Sequence, residues 1–262
     1  MQEIIITTVV IGVIGLIIGI ALVAAGKKFY VAVDEKAIAV RECLPGNNCG
    51  ACGYAGCDAV AAAIAAGEAP VNACPVCSAD AVAKIGGVMG VEAEAAQRKT
   101  AQVKCSGDCE HTSAKCNYVG IEDCRAAALA GLNTGSCTFG CLGYGSCVKA
   151  CTYDAIHVVN GVAKVDTSKC VGCGMCAKAC PKGLIEVVRA DRPFVVQCSN
   201  KDRGPAVKKV CSAGCLGCGA CVKQCEHDAI HVEGNLAYID YDKCVGCGKC
   251  AEKCPAKNIV RQ

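Results

Sequence analysis

Hydrophobic and polar positions divide this chain into two unlike parts. From Ile4 to Ala25 there is no charge at all. At about 1.5 Å per residue these 22 residues make a helix of roughly 33 Å, enough to cross a hydrocarbon core. Glu3 precedes the run and Lys27-Lys28 follow it, whereas a secretory signal would carry its basic residues in front. The asymmetry predicts a retained anchor over residues 1–28, with its N-terminus outside and all that follows Lys28 in the cytoplasm. Gly15 and Gly19, four apart and preceded by Gly12, permit close packing on another membrane helix, although glycine is common in such helices anyway. After residue 40, bulky apolar residues come only in short scraps. Asp58 to Ala66 predicts a helix ending near Gly67. Residues 78–104, with Val88 to Arg98, read as a helical linker. Ala155–Val158 and Ala229–Val232 read as short strands, each followed by a second around Ala163–Val165 and Ala237–Ile239.

Composition sharpens this picture. The 262 residues include 28 cysteines, no Trp and only 3 Phe, so small cysteine-held modules are favoured over one large core. In a reducing cytosol a disulfide scaffold is disfavoured, which leaves metal ligation as the use of most thiols. The formal charge of +3, with no basic tract interleaved with aromatics, gives no support for a nucleic-acid partner.

The cysteines repeat. Residues 141–181 and 215–255 align without a gap at an offset of 74, with 25 of 41 positions identical. Both copies run through Cys-x2-Asp-Ala-Ile-His-Val and close on Cys-Val-Gly-Cys-Gly-x-Cys-x3-Cys-Pro. That is the bacterial 4Fe-4S pattern, whose fourth cysteine ligates the other cluster of a pair. Three closely spaced thiolates on a glycine loop hold three corners of a cubane, and the proline bends the chain away. In the second unit one cluster takes Cys215, Cys218, Cys221 and Cys254, and the other takes Cys225, Cys244, Cys247 and Cys250. In the first unit one cluster takes Cys151, Cys170, Cys173 and Cys176. Its sister has Cys141, Cys147 and Cys180, but Tyr144 stands at the fourth expected position. Cys137 is the expected replacement, with a three-iron or altered site as the competing outcome. The offset of 74 also pairs Cys124 with Cys198 and Cys137 with Cys211. Zinc sites show two spaced cysteine pairs around one ion and fit this run poorly. The spacing Cys211-x3-Cys215-x2-Cys218 also matches radical S-adenosylmethionine enzymes, but Tyr144 breaks it in the first copy.

A different arrangement opens the chain after the anchor. Cys49-x2-Cys52-x4-Cys57-x16-Cys74 places three thiolates on a glycine-rich loop and one after a helix, the natural donor set of a further 4Fe-4S cluster. Cys43 and Cys77 flank it and suit the role of small hydrophobes better. Cys105, Cys109, Cys116 and Cys124 are the candidates for a sixth cluster, while Cys198 and Cys211 find no vacancy in the second unit. His111, His157, His227 and His231 are scattered, as structural or solvent-facing residues would be.

The anchor, the loop Leu44-Pro-Gly-Asn-Asn-Cys49-Gly-Ala-Cys52-Gly-Tyr-Ala-Gly-Cys57 and the ferredoxin repeats together closely resemble the B subunit of the Rnf complex. The resemblance covers nearly the whole chain. It implies a membrane-bound, ion-translocating ferredoxin:NAD oxidoreductase, in which this component is a polyferredoxin. Electrons would arrive from soluble reduced ferredoxin and pass to the other membrane subunits. The resemblance also carries a first cluster onto Cys49, Cys52, Cys57 and Cys74.

The fold expected is therefore α+β, with five clusters. A transmembrane helix (1–28) leads to a small iron–sulfur module (29–80) and a helical linker (81–104). Two tandem two-cluster ferredoxin-like units (105–190 and 191–262) follow. No G-x-G-x-x-G follows a strand and no phosphate loop is present, so NAD chemistry falls to a partner. Each oxidised cluster with four thiolates carries about −2, so five bring the chain to roughly −7. Acidic ferredoxin then needs a local basic face. Lys201, Arg203, Lys208 and Lys209 are one candidate, and Lys249, Lys253, Lys257 and Arg261 another. A membrane-tethered polyferredoxin serving a hydrogenase or other reductase, and a structural zinc protein, are the rival readings.

Overall fold

A computed structural model of the chain describes residues 2–28, 34–92, 97–131 and 135–261. Helix α1 spans Gln2–Lys28. Within it, side chains are described for Ile6 and residues 12–25, and Leu16, Ile17, Ile20, Leu22 and Val23 are all exposed. Among the described residues no helix is long and apolar enough to cross a membrane, and within the expected spanning run Ile4–Ala25 the side chains of residues 4, 5 and 7–11 lie outside those described.

Three short helices make the next module: α2 (Glu35–Cys43), α3 (Cys57–Ala65) and α4 (Ala79–Met89). Asp34 and Ser78 cap α2 and α4 through their side-chain oxygens. Alanine and valine at helical spacing let α2, α3 and α4 pack closely around Val40, Val60, Ile64 and Ile85. Helix α3 ends where expected, with Gly67 at φ +76°. The expected helical linker is only partly helical. Gly90, left-handed at φ 70°, stops α4, and residues 93–96 lie outside the described residues. Strand β1 (Lys99–Val103) follows, because its backbone finds an antiparallel partner far along the chain.

The remainder is built twice. In the first unit, α5 (Cys124–Leu129) and α6 (Ser146–Lys149) precede a hairpin of β2 (Ile156–Val159) and β3 (Val162–Val165). Helix α7 (Met175–Ala179) and β4 (Ile185–Arg189) complete it, and β4 pairs with β1. In the second unit, β5 (Phe194–Val196), α8 (Gly204–Val210) and α9 (Ala220–Lys223) lead to the hairpin β6 (Ile230–Glu233) and β7 (Leu236–Ile239). Helix α10 (Lys249–Glu252) and β8 (Ile259–Arg261) close the unit, and β8 pairs with β5. The two hairpins match the sequence expectation at the offset of 74. No sheet among the described residues exceeds two strands, and the buried apolar clusters contain cysteines among their members.

The outer strands reveal a relationship the alignment hides. Lys104 N–H bonds Leu184 C=O, and Gln197 N–H bonds Asn258 C=O. Lys104 and Gln197 are therefore equivalent, which makes Cys105 the counterpart of Cys198. Val103 stands 38 residues before Cys141, but Val196 only 19 before Cys215, so the first unit carries 19 extra residues there. The constant offset had paired Cys198 with Cys124; this insertion is why that pairing fails in space.

Candidate metal centres

Three four-cysteine sets predicted from spacing each surround one pocket. Cys215, Cys218, Cys221 and Cys254 line the first, with Leu216, Val232 and Ile259. Cys225, Cys244, Cys247 and Cys250 line the second, with Phe194, Ile230 and Ile239. Cys151, Cys170, Cys173 and Cys176 line the third, with Tyr153, Ile156 and Val165. The free space at these sites is about 320, 370 and 340 Å³ respectively, open mouths included.

The donor chemistry fits iron–sulfur clusters. Amide N–H groups point at the sulfurs: Ala155 N to Cys151 Sγ at 3.5 Å, Ala229 N to Cys225 Sγ at 3.3 Å, and Ala101 N to Cys170 Sγ at 3.3 Å. Such bonds favour thiolate and tune a cluster's potential. The ligand loops depend on glycine for a physical reason. At Gly143 (φ +77°) a Cβ would sit 2.7 Å from Gly161 O, and at Gly217 (φ +62°) 2.7 Å from Asn235 O. The same close approach to the hairpin turn thus recurs 74 residues on. Burial pushes the thiols of Cys176 and Cys221 up to about 11. Cluster binding must therefore expel protons from these sites.

The fourth set departs from expectation. Cys124, not Cys137, faces Cys141, Cys147 and Cys180. Burial pushes Cys147 up to about 12, reinforced by neighbouring Cys141, Cys124 and Cys180. Ser146 explains the placement. Its Oγ accepts Cys124 N–H at 2.7 Å and donates to Asp123 Oδ2 at 2.7 Å, and Asp123 in turn caps α5. The start of α5 is thereby pinned beside the Cys141–Cys147 loop. Tyr144 packs its ring against Tyr118, with centroids 5.3 Å apart. Cys137 is the replacement expected from the sequence, whereas the helix cap brings Cys124 beside these three thiols.

The four candidates for a sixth cluster do not come together. Cys124 is taken up as described, Cys109 and Cys116 are exposed, and Cys105 faces Cys137, Cys198 and Cys211 around a separate pocket. Among the described residues no group of His, Cys, Asp and Glu closes on a single metal ion.

At the N-terminal module, Cys57 begins α3 and donates its N–H to Asn48 Oδ1 at 2.7 Å. Asn48 itself is left-handed at φ 46°, a conformation asparagine tolerates. Cys57 and Cys74 are buried, and Cys49 and Cys52 half-buried. A hydrogen bond from the Cys77 thiol lowers Cys74 to about 6, while Cys77 is pushed upward in exchange. Cys77 and Cys43 pack against this core. The module touches the first unit where Asn47 Nδ2 donates to Tyr153 Oη at 2.6 Å. Cys49 lies near enough to Cys173 for its charge to raise that thiol, after burial.

The histidines behave as expected: His111, His157 and His231 lie beside Asp108, Asp154 and Asp228, each three residues earlier. His227 is exposed at the rim of a cysteine pocket.

Serial cysteine pockets on ferredoxin-like hairpins define a polyferredoxin. Residues 44–76 match the putative Fe-S cluster family, residues 163–186 the 4Fe-4S binding domain, and residues 214–258 the 4Fe-4S dicluster domain. The chain is 45% identical to the B subunit of the Na(+)-translocating ferredoxin:NAD(+) oxidoreductase complex of Acetobacterium woodii, over 89% of its own length and 71% of the relative's. It is 41% identical to the B subunit of the proton-translocating complex of Clostridium ljungdahlii, over 92% and 85%. It is 38% identical to the B subunit of the ion-translocating oxidoreductase complex of Methanosarcina acetivorans, over 94% of each chain. The chain belongs to the family of B subunits of ion-translocating ferredoxin:NAD oxidoreductase, or Rnf, complexes. It is an electron-transfer component of that enzyme complex and uses 4Fe-4S clusters.

Proposed function

We propose that the chain is a membrane-anchored wire that takes electrons from soluble reduced ferredoxin at its second ferredoxin-like unit. The wire carries them toward the N-terminal module and the other membrane subunits. The observation that carries this reading is the series of four-cysteine pockets in apolar walls. Bound there, each cluster accepts and releases one electron. The ligand sets are Cys49/52/57/74, Cys151/170/173/176, Cys124/141/147/180, Cys215/218/221/254 and Cys225/244/247/250. Residues 29–80 form the N-terminal module, and the two units follow the linker. Electrons leave the first unit where Cys173 approaches Cys49 and Tyr153 meets Asn47.

Anchoring rests on α1. It is 27 residues long, carries no charge from Ile4 to Ala25 and exposes large apolar side chains. Lys27-Lys28 after the uncharged run support a cytoplasmic side for its C-terminal end and for every cluster.

Electron entry at the second unit has its own support. Cys218 and Cys247 are exposed there, whereas Cys173 of the first unit is half-buried. Asn235 Nδ2 donates to Lys201 C=O at 3.0 Å, and the start of α8 packs on Leu216 O. Lys201, Arg203, Lys208 and Lys209 thus flank the Cys215–Cys221 loop, whereas Lys249 of the other basic candidate is engaged by Glu226. Reversing Lys208 and Lys209 to Glu should slow second-order reduction by ferredoxin several-fold and flatten its salt dependence. An unchanged rate at low salt would discard this docking face.

A further inference from the structure

The two ferredoxin-like units meet at a pocket whose cysteines all lie outside the matched family segments, residues 44–76, 163–186 and 214–258. Five cysteines line it: Cys105, Cys137 and Cys141 from the first unit, Cys198 and Cys211 from the second; Cys141 belongs to the neighbouring set, which leaves the other four. Its free space, about 450 Å³ including the mouth, compares with 320–370 Å³ at the three ferredoxin pockets. We infer that these four cysteines hold a further 4Fe-4S cluster, which joins the two units into one continuous wire.

The site has an internal two-fold logic. Cys105 and Cys198 each stand two residues beyond the outer strand of their unit, and Cys137 and Cys211 stand four residues before Cys141 and Cys215 respectively. The surrounding hydrogen bonds repeat in the same way. Ser106 Oγ donates to Gln197 Oε1 at 2.7 Å, while the equivalent Ser199 Oγ donates to Lys104 C=O at 3.0 Å. Gly140 N–H turns back to Cys137 C=O at 3.1 Å, and Gly214 N–H to Cys211 C=O at 3.4 Å. Each unit thus contributes the same pair of thiols, and neither pair makes a cluster site alone.

The sulfurs converge on one space. A Cβ on Gly107 would lie 3.3 Å from Cys211 Sγ and 3.7 Å from Cys105 Sγ, so these two sulfurs are no more than 7.0 Å apart. Cys215 N–H donates to Cys198 Sγ at 3.3 Å, and Asn200 Nδ2 donates to Cys137 Sγ at 3.5 Å. Cys105 accepts N–H bonds from Cys141 and Gly107, and Cys211 from Ala213. Every thiol therefore meets a donor of the kind that serves cluster sulfur. A zinc tetrathiolate would draw its sulfurs to about 3.8 Å apart. Thiols around this larger space suit a polynuclear cluster better.

Two of these contacts give the site its role. Cys141 is a ligand of the first unit's neighbouring set and Cys215 of the second's. Each donates its backbone N–H to a sulfur of the junction. An electron leaving the cluster on Cys215 reduces the junction by one, and the junction is reoxidised by one when that electron passes to the cluster on Cys141. No bond is made or broken and no other reactant is needed. This inference rests on the ligand sets proposed above and adds the link between them.

The experiment counts metal in the full-length protein, assembled and purified anaerobically. With four irons per cluster, wild type should hold about 24 irons and as many acid-labile sulfides. Cys198→Ser/Cys211→Ser should hold about 20 of each, and Cys109→Ser/Cys116→Ser should keep about 24. A wild-type count of about 20, an unchanged count in the Cys198/Cys211 variant, or loss of one zinc instead of four irons would overturn the junction cluster. A wild-type count of about 20 would leave the other five sets standing, whereas a count far below 20 would sink both readings. Should the variant fail to fold, an iron anomalous map of wild type decides directly. Iron density enclosed by these four sulfurs is expected, and its absence at a site where the flanking clusters are visible overturns the proposal.

Discussion

Asn47 donates from Nδ2 to Tyr153 Oη at 2.6 Å, a hydrogen bond that spans 106 residues of sequence. It fastens the N-terminal loop to the wall of the Cys151/170/173/176 pocket, next to the approach of Cys49 to Cys173. Tyr153→Phe removes the acceptor and should weaken this seam by about 0.5–1 kcal/mol. Amide exchange over residues 44–57 should quicken, with iron content unchanged. Exchange as slow as wild type would show that other contacts hold the seam.

Tyr144 stands where the repeat calls for cysteine, and Cys124 stands beside the other three thiols. Cys124→Ser should cost about four irons, a single cluster. Adding Tyr144→Cys to that variant should restore them, since the new thiol returns to the loop position that Cys218 fills in the second unit. Failure of the rescue, with Cys137→Ser emptying the same cluster, would restore Cys137 as the ligand.

Asp123 ties Ser146 to the start of α5, and the Ser146 hydroxyl, followed by backbone N–H groups, holds its carboxyl below the usual carboxylate range. A carboxyl depressed on folding stabilises the native state fully above its unfolded value. That contribution is lost as pH falls through the depressed folded value. Asp123→Ala should therefore lower the urea midpoint at neutral pH, and the gap to wild type should close in acid below the ordinary carboxylate value. A gap independent of pH would mean the side chain acts by packing alone.

Gly217 is left-handed, and a Cβ there would sit 2.7 Å from Asn235 O. Gly217→Ala combines strained backbone with a clash against main chain, at a cost of about 1–3 kcal/mol. Faster oxygen bleaching of the second unit is the expected readout, with the N-terminal module unaffected. Wild-type bleaching would show that the loop can relax.

Iron removal should have a structural consequence. Isolated two-stranded hairpins are marginal in water, and the units hold nothing wider among the described residues. Anaerobic chelation should therefore erase amide protection at Ile156–Val159 and Ile230–Glu233. Protection that survives complete iron loss would locate the stability in the protein core instead.

Much of this protein was legible as sequence because cluster loops are local. Three ligands within seven residues need no knowledge of the fold, and the sets of Cys170–Cys176 and Cys244–Cys250 follow from spacing alone. The hairpins follow for the same reason, two short β-branched runs around a turn. The stretch expected as a helical linker is helix only to Met89 and strand from Lys99. Strand formation at Lys99–Val103 depends on Ile185–Arg189, and no local pattern announces a partner more than eighty residues away.

By itself the sequence determined that thiolates in ferredoxin spacing organise the chain, that the unit is duplicated, and that an uncharged run precedes it. Only the tertiary structure decided which cysteines stand together beyond the local loops. Cys124 reaches its place through a capped helix. Cys105 becomes the partner of Cys198 only once strand pairing discounts the 19 inserted residues. Spacing encodes ligands that share a loop. Ligands that arrive from separate elements are fixed by hydrogen bonds and packing across the chain, and those exist only after it has folded.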